Sequence, residues 1–323
     1  MSGLEEWARA RAPELLARAE EEAVAALRQA LIEATVGGRP AAPKPAPSRE
    51  PRRDQAEGHA LWAYAVTRAG QALSGAPAGV DPGAPVERIV HGGLAVLASR
   101  VPLAEFGEDP LRENLNRLDW LERVARAHET VLEQALADGP IVPLRLCTIY
   151  SNEDGIRTML DREEEHLTGT LDRLAGRQEW GVKLLLDPDT LARAARERSP
   201  EIAGLEEERS GRSGGGAYMI GRKVDRRLAE LTHQLATEVA EDVHARLEDC
   251  TEDSVLNPPQ NRELSGYEGE MLLNGAYLVE SSRTEELRDV LTRLEERHSA
   301  FGARLELTGP WPPYNFASRL APA

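Results

Sequence analysis

The spacing of apolar residues changes period several times along this chain, and each change marks an expected element. Over residues 4 to about 35, Leu16, Ala19, Ala23, Leu27 and Leu31 recur at helical spacing, while Glu20, Glu21, Glu22 and Arg28 lie mostly elsewhere. This predicts an amphipathic helix, restarted at Pro13 and ended by Gly37-Gly38. Its apolar stripe suits either the chain's own body or another chain. Pro40, Pro43, Pro45, Pro47 and Pro51 then recur among small and charged residues. That composition predicts a semi-rigid linker over 37–58, reaching about 3.1 Å per residue. A globular part is expected from His59.

Leu61-Trp62-Ala63-Tyr64-Ala65-Val66 reads as a strand, and 67–85 as a Gly-, Ala- and Pro-rich loop. Val86–His91 and Leu94–Ser99 read as two strands joined at Gly92-Gly93, a hairpin signal. Asp109-Pro110 predicts an N-cap and a first-turn proline. The helix expected after it carries Leu111, Leu115, Leu118, Leu121, Val124, Val131 and Leu132 and stops at Gly139-Pro140. Ile141–Tyr150 is expected to be a strand. A further helix, from about Asn152, carries Ile156, Leu160, Leu167, Leu171 and Leu174.

A second unit follows. Trp180, Val182, Leu184 and Leu186 alternate with their neighbours at period two. Asp187-Pro188 repeats the cap-plus-proline device, and Arg209–Gly216 reads as a loop. From about Ala217 to Glu248 a long helix carries Val224, Leu228, Leu231, Leu235, Val239, Val243 and Leu247 on one face. Residues 250–257 and Met271–Glu280 are strand candidates, with Asn274-Gly275 by itself suggesting a hairpin turn. Ser282-Arg283-Thr284-Glu285 predicts a capping box that opens a helix to about Ser299. Gly302 ends that helix, and Arg304–Leu307 is the last strand. The order β-α-β-β-α-β is the ferredoxin-like plan. The first unit resembles it with the first helix replaced by loop. The fold class expected is therefore α+β: an N-terminal helix over 1–36, a linker over 37–58, an α+β domain over 59–177 and a ferredoxin-like domain over 178–323.

Gly309-Pro310-Trp311-Pro312-Pro313-Tyr314-Asn315-Phe316 packs three prolines and three aromatics into eight positions of a chain with 5 Trp, 6 Tyr and 3 Phe in all. Proline fixes φ and removes a donor, so the stretch is expected to be neither helix nor central strand. Rings this concentrated must dock. Trp311, Pro312, Pro313, Tyr314 and Phe316 are the candidate anchors, either strapping the chain's own core or holding a partner.

Bulk properties narrow the picture. At 323 residues the chain exceeds the roughly 250–300 at which single cores stop growing, so two domains are the default. A net charge of −16 argues against nucleic acid, since no basic surplus faces phosphates. Cys147 and Cys250 form no metal or disulfide pattern, which suggests a reducing compartment. There is no run of 18 apolar residues for a membrane span, and Met1-Ser2-Gly3-Leu4-Glu5-Glu6-Trp7 is acidic where a secretory signal is basic. A cytoplasmic protein is expected.

Chemistry is sparse. Gly216–Lys223 brushes against a phosphate loop but has Arg222 where lysine is needed and no Ser or Thr after it. His233 and His244 share a helix face, but about 16 Å of helical rise separates them, too far for one metal. His166 follows Glu163-Glu164-Glu165 without a metalloprotease pattern, and no nucleophile elbow is present. No cofactor, metal or catalytic residue is expected.

Five of these stretches occur in an order that resembles the gas vesicle protein F / gas vesicle protein L family. They are Leu61–Val66, Pro143-Leu144-Arg145-Leu146-Cys147-Thr148, Glu179-Trp180-Gly181-Val182-Lys183, Asn274-Gly275-Ala276-Tyr277-Leu278-Val279 and the Gly309–Phe316 tail. The resemblance runs from about 59 to 316. It implies a two-domain α+β protein with a modified ferredoxin fold in its second domain. It implies a non-enzymatic role in gas vesicle formation, in contact with the small hydrophobic shell protein and other accessory proteins, and no catalytic residues. The family often has alanine where Gly275 stands, which favours one continuous strand through Asn274-Gly275. It commonly has glycine where Cys147 stands, read here as a packing substitution. The other function classes that a ferredoxin-like domain hosts are small-molecule sensing and catalysis.

Overall fold

The structure, a computed structural model, describes residues 58–75, 77–258 and 269–317. The expected helix over 4–35 and, Gly58 apart, the expected linker over 37–58 lie outside the described residues. The chain forms two compact units and passes from the first to the second between Ala175 and Gly176.

In the first unit, strand β1 (His59–Arg68) is central and buried on both faces from Trp62 to Thr67, which is why its sequence runs apolar without alternation. β2 (Glu87–His91) and β3 (Leu94–Pro102) form the expected hairpin, and the sheet order is β2-β3-β1-β4 with every pair antiparallel. Tyr64 is the extra residue of a bulge, since Ala63 pairs with Ala98 and Ala65 with Leu97. Its hydroxyl accepts from Val80 N at 2.9 Å and shares a 2.7 Å hydrogen bond with Ser99 Oγ, so it pins the 69–85 loop to the sheet.

Two sequence expectations fail in this unit. The single helix expected after Asp109 is two pieces, and a further short helix that the sequence did not predict precedes them: α1 (Leu103–Phe106), then α2 (Glu108–Asn114) and α3 (Leu118–Asp138). Gly107, not Asp109, is the N-cap of α2, and Asp109 lies in its first turn beside Glu108, where acids suit the positive end of the helix dipole. Pro110 falls among the first four residues, whose N–H groups have no helical partner to lose. Asn116 then folds its side chain back to Arg112 O at 2.9 Å, and the helix breaks before Leu118, which is 74% exposed. The ten-residue strand expected at Ile141–Tyr150 is only β4 (Val142–Pro143) and β5 (Ile149–Tyr150), both against β1. Between them the chain turns, with Thr148 N bonded to Arg145 O and Cys147 at φ 65°. Helix α4 (Glu153–Leu174) is as expected, with the Asn152 side chain accepting from Gly155 N.

In the second unit β6 (Arg177–Leu186) leads into α5 (Pro188–Arg198), where Asp187 caps Thr190 N and Pro188 opens the first turn as expected. Ser199-Pro200 uses the same device to open α6 (Pro200–Ser210), a helix absent from the sequence reading. The long helix α7 spans Gly215–Glu248. β7 (Asp253–Leu256), β8 (Glu270–Glu280), α8 (Thr284–His298) and β9 (Ala303–Trp311) complete the unit. The sheet order is β7-β8-β6-β9, all antiparallel. Numbered within its own unit, each sheet therefore reads 2-3-1-4. The α+β reading and the ferredoxin-like plan hold.

β8 is continuous through Asn274-Gly275, paired to Lys183 and Val182. A Cβ on Gly275 would stand 2.5 Å from the Tyr277 ring, so the glycine here makes room for a side chain on its own strand face. The capping box is not formed: Ser281–Arg283 make a 3-10 turn, and α8 starts after it without a side-chain cap. Trp180, Val182, Leu184 and Leu186 of β6 pack with Val239, Val243 and Leu247 of α7 and Leu287, Leu291 and Leu294 of α8 in the main core of the unit.

Candidate functional site

Two features of the second unit are candidates: the aromatic end of the chain and an open groove. The tail splits into two halves. Gly309, Pro310 and Trp311 continue β9 as an outer strand, so strand pairing reaches further than Arg304–Leu307. Pro312-Pro313 then open one helical turn, α9 (Tyr314–Ala317), closed by Ala317 N to Pro313 O at 2.9 Å. The expectation of no helix is thus corrected at 314–317. Proline suits a helix start because its missing N–H is not needed there.

Trp311 is 8% exposed, with Nε1 donating to Thr308 Oγ1 at 3.1 Å. Pro312, Pro313 and Phe316 are buried, and Tyr314 is half-buried. The residue that organises them is Glu179, opposite Trp311 in the ladder and 1% exposed. Its carboxylate accepts from the backbone N of Asn315 at 3.1 Å and from Asn315 Nδ2 at 2.7 Å. A carboxylate out of water needs such donors. Gly309, at φ 119°, leaves empty the place where a Cβ would stand 3.0 Å from Glu179 O. Glu179 and Asn315 are not among the anchors expected from sequence. The available signal is an acid at the start of a strand whose next residue, Trp180, faces the core.

The groove, about 740 Å³, lies where α7 faces α5 and the outer end of the sheet. Its apolar wall is Leu191, Leu228, Ala236, Ala240, Leu256 and Leu272, and Leu256 is 53% exposed. Asp225, Glu241 and Glu270 contribute the acidic residues of its lining. Sequence reading gave Leu228, Leu231 and Leu235 to a buried stripe, yet they are only partly buried. The signal for a concavity is the alanines at 229, 236 and 240, which leave space where the stripe needs bulk. His233 and His244 both line this groove. His244 Nδ1 shares a 3.0 Å hydrogen bond with the Tyr277 hydroxyl, and burial pushes the Tyr277 phenol up, so the hydroxyl keeps its proton. Nε2 of His244 then faces Glu248 at 3.5 Å. This is a structural contact between helix and sheet. Among the described residues no group of three His, Cys, Asp or Glu is placed to hold a metal. Gly216–Lys223 form the opening turns of α7, not a phosphate-cradling loop.

The first unit buries His128, whose Nδ1 accepts from Trp62 Nε1 at 3.0 Å and whose Nε2 donates to Leu144 O at 3.2 Å. Burial lowers its pKa to about 4, so it is neutral and holds the β4 segment against α3. Cys147 is pushed up to about 12 by burial, which leaves it a thiol. No described helix is long and apolar enough to cross a membrane.

Residues 60–318 match the family described as gas vesicle synthesis protein GvpL/GvpF. Gas vesicle protein L of Streptomyces sp. (strain CB03234) is 36% identical over 256 residues, covering 79% of this chain and 92% of that relative. Gas vesicle protein F of the same strain is 29% identical over 238 residues, with 73% and 89% covered. The crystal structure of the gas vesicle protein GvpF from Anabaena sp. PCC7120 superposes with a TM-score of 0.61 at 18% identity, covering 80% of this chain and 98% of that one.

Proposed function

We propose, because the chain belongs to the GvpL/GvpF family of gas vesicle synthesis proteins, that it is a non-enzymatic accessory of gas vesicle formation that contacts the small, apolar shell protein. The observation that carries the contact is the open groove of α7, with its leucine and alanine wall and acidic residues. Such a surface takes an apolar helical segment, as in other helix-in-groove recognition. Other vesicle accessory proteins are further partners on this reading, and the protein acts at the vesicle in the cytoplasm. Trp311, Pro312, Pro313, Tyr314 and Phe316 serve it as a strap that fixes β9 on the sheet, not as the gripping surface. Their burial and the Glu179–Asn315 latch support that role.

The experiment is direct binding of purified shell protein to the full chain and to Leu256→Asp and Leu272→Asp. Both variants are expected to weaken binding by about tenfold or more, since a charge replaces an apolar contact. The melting temperature of Leu256→Asp should stay near that of the parent, whereas Leu272→Asp also loses packing against the core. Full binding by both variants would remove the groove from the contact. A small molecule that stabilises the protein strongly, with no shell-protein binding, would favour sensing or catalysis instead.

A further inference from the structure

The far half of α7 does not lie on the sheet. It packs on α6 through Ile202, Leu205, Ile220 and Val224, forming a helical hairpin with its own small core. The opposite face of α7 at this end carries Tyr218, Met219, Arg222, Lys223 and Arg226. At 100° per residue these five fall within an arc of about 140° and span about 12 Å of helix. All are exposed, Tyr218 at 67% and Met219 at 68%. Arg227, on the other side, is occupied by Glu201 at 2.8 Å and Glu230 at 3.2 Å. Arg212 pairs with Glu208 at 2.7 Å. Arg222, Lys223 and Arg226 have no ion pair among the described residues.

This is unusual for the molecule. The chain carries −16 overall, yet residues 209–227 hold six basic residues and one acid, Asp225. Arg222 and Arg226 are four apart and Lys223 and Arg226 three apart, so they repel one another along the helix. A solvated face normally intersperses acids to relieve this. Here an apolar pair takes that place. Methionine and tyrosine at an exposed site suit protein contact, the one for its adaptable shape and the other for its ring with a polar end.

We propose that this face is a docking surface for an acidic helical segment of a partner protein, one that sets carboxylates against Arg222, Lys223 and Arg226 and an aliphatic side chain against Tyr218 and Met219. The strip is straight and just over two turns long, which suits the side of another helix. A polyphosphate chain fits less well, because exposed Glu207 and Glu208 on the neighbouring helix and the net negative charge oppose it. The strip ends where the groove begins, at Asp225 and Leu228 of the same helix, whereas Leu256 and Leu272 of the groove lie on the sheet, so a variant of those leaves the strip intact.

The test uses the full chain and a fluorescein-labelled amphipathic peptide of glutamate and leucine, followed by anisotropy at low and high salt. The parent is expected to bind it, and added salt to weaken it. Arg222→Glu, Lys223→Glu and Arg226→Glu together should reduce affinity by at least about tenfold. The melting temperature should not fall, because these side chains touch no core. Tyr218→Ala with Met219→Ala should reduce affinity further. The same peptide with glutamine for glutamate should not bind. No binding by the parent, equal binding by the charge-reversed variant, or tighter binding of a thymidine oligonucleotide or of phosphatidylglycerol vesicles than of the peptide would overturn the proposal.

Discussion

Tyr277 sets the rule for its neighbours. It is fully buried, bonded to His244, and its ring occupies the space a Cβ on Gly275 would need. Gly275→Ala is therefore expected to lose about 1–3 kcal/mol by overpacking, read as a lower urea midpoint with unchanged slope. Cys147 is the reverse case. Its left-handed backbone at φ 65° suits glycine, so the departure from the family pattern is one of conformation, not of packing as the sequence suggested. Cys147→Gly should be neutral within about 1 kcal/mol, while Cys147→Val should lose at least about 1–2 kcal/mol, because a β-branched residue resists positive φ. Calorimetric melting of the pair separates the two explanations. His128 has a folded pKa near 4, below the value of about 6.5 it has when unfolded. The unfolded chain then takes up the proton first, so this stability is whole above pH 6.5 and is lost as pH falls towards 4. The loss is about 3 kcal/mol. Denaturant unfolding of the parent and of His128→Gln at several pH values should show the variant with a flatter acid limb. None of these contacts was legible in the sequence, because each depends on which side chain a distant strand or helix brings alongside.

Whole elements were more legible. Strand β1, the β2–β3 hairpin, α4, β6, α7 and β8 follow from period and caps, since a buried stripe or a core-facing alternation leaves its mark residue by residue. The reading erred where a local signal had two physical outcomes. Asp109-Pro110 fits a cap or a first turn, and Ser199-Pro200 opens a helix that runs into a glycine-rich loop. The tail shows the same ambiguity, since Gly309-Pro310 ends an outer strand as readily as it forms a free strap. With Trp311 only 8% exposed, Trp311→Ala is expected to lose about 3–5 kcal/mol, the range for a buried tryptophan. If the tail is a strap, melting temperature and vesicle formation should fall together. If it grips a partner instead, the variant folds normally and fails to bind. A variant both stable and competent would leave the tail with neither role.

At the scale of the molecule, the family match begins at residue 60, and the first 58 residues are proposed to be separable from the rest. Deleting 1–58 is expected to leave the melting temperature within a few degrees of the parent; a large drop in a thermal melt would show that the segment packs on the core. The two sheets share one strand order, and the outermost strands in both are treated alike. β4 is two residues long and ends at Pro143, and β7 is four residues long. β2 opens on exposed Glu87, and β9 carries exposed Arg304 and Pro310, which has no N–H to offer. Short, charged or proline-bearing edges resist the addition of a further strand, the usual route to β-aggregation. On the proposed contact with an apolar shell protein, that hazard arises whenever the two meet. Blunted edges would then let this protein make the contact without being incorporated as one more strand.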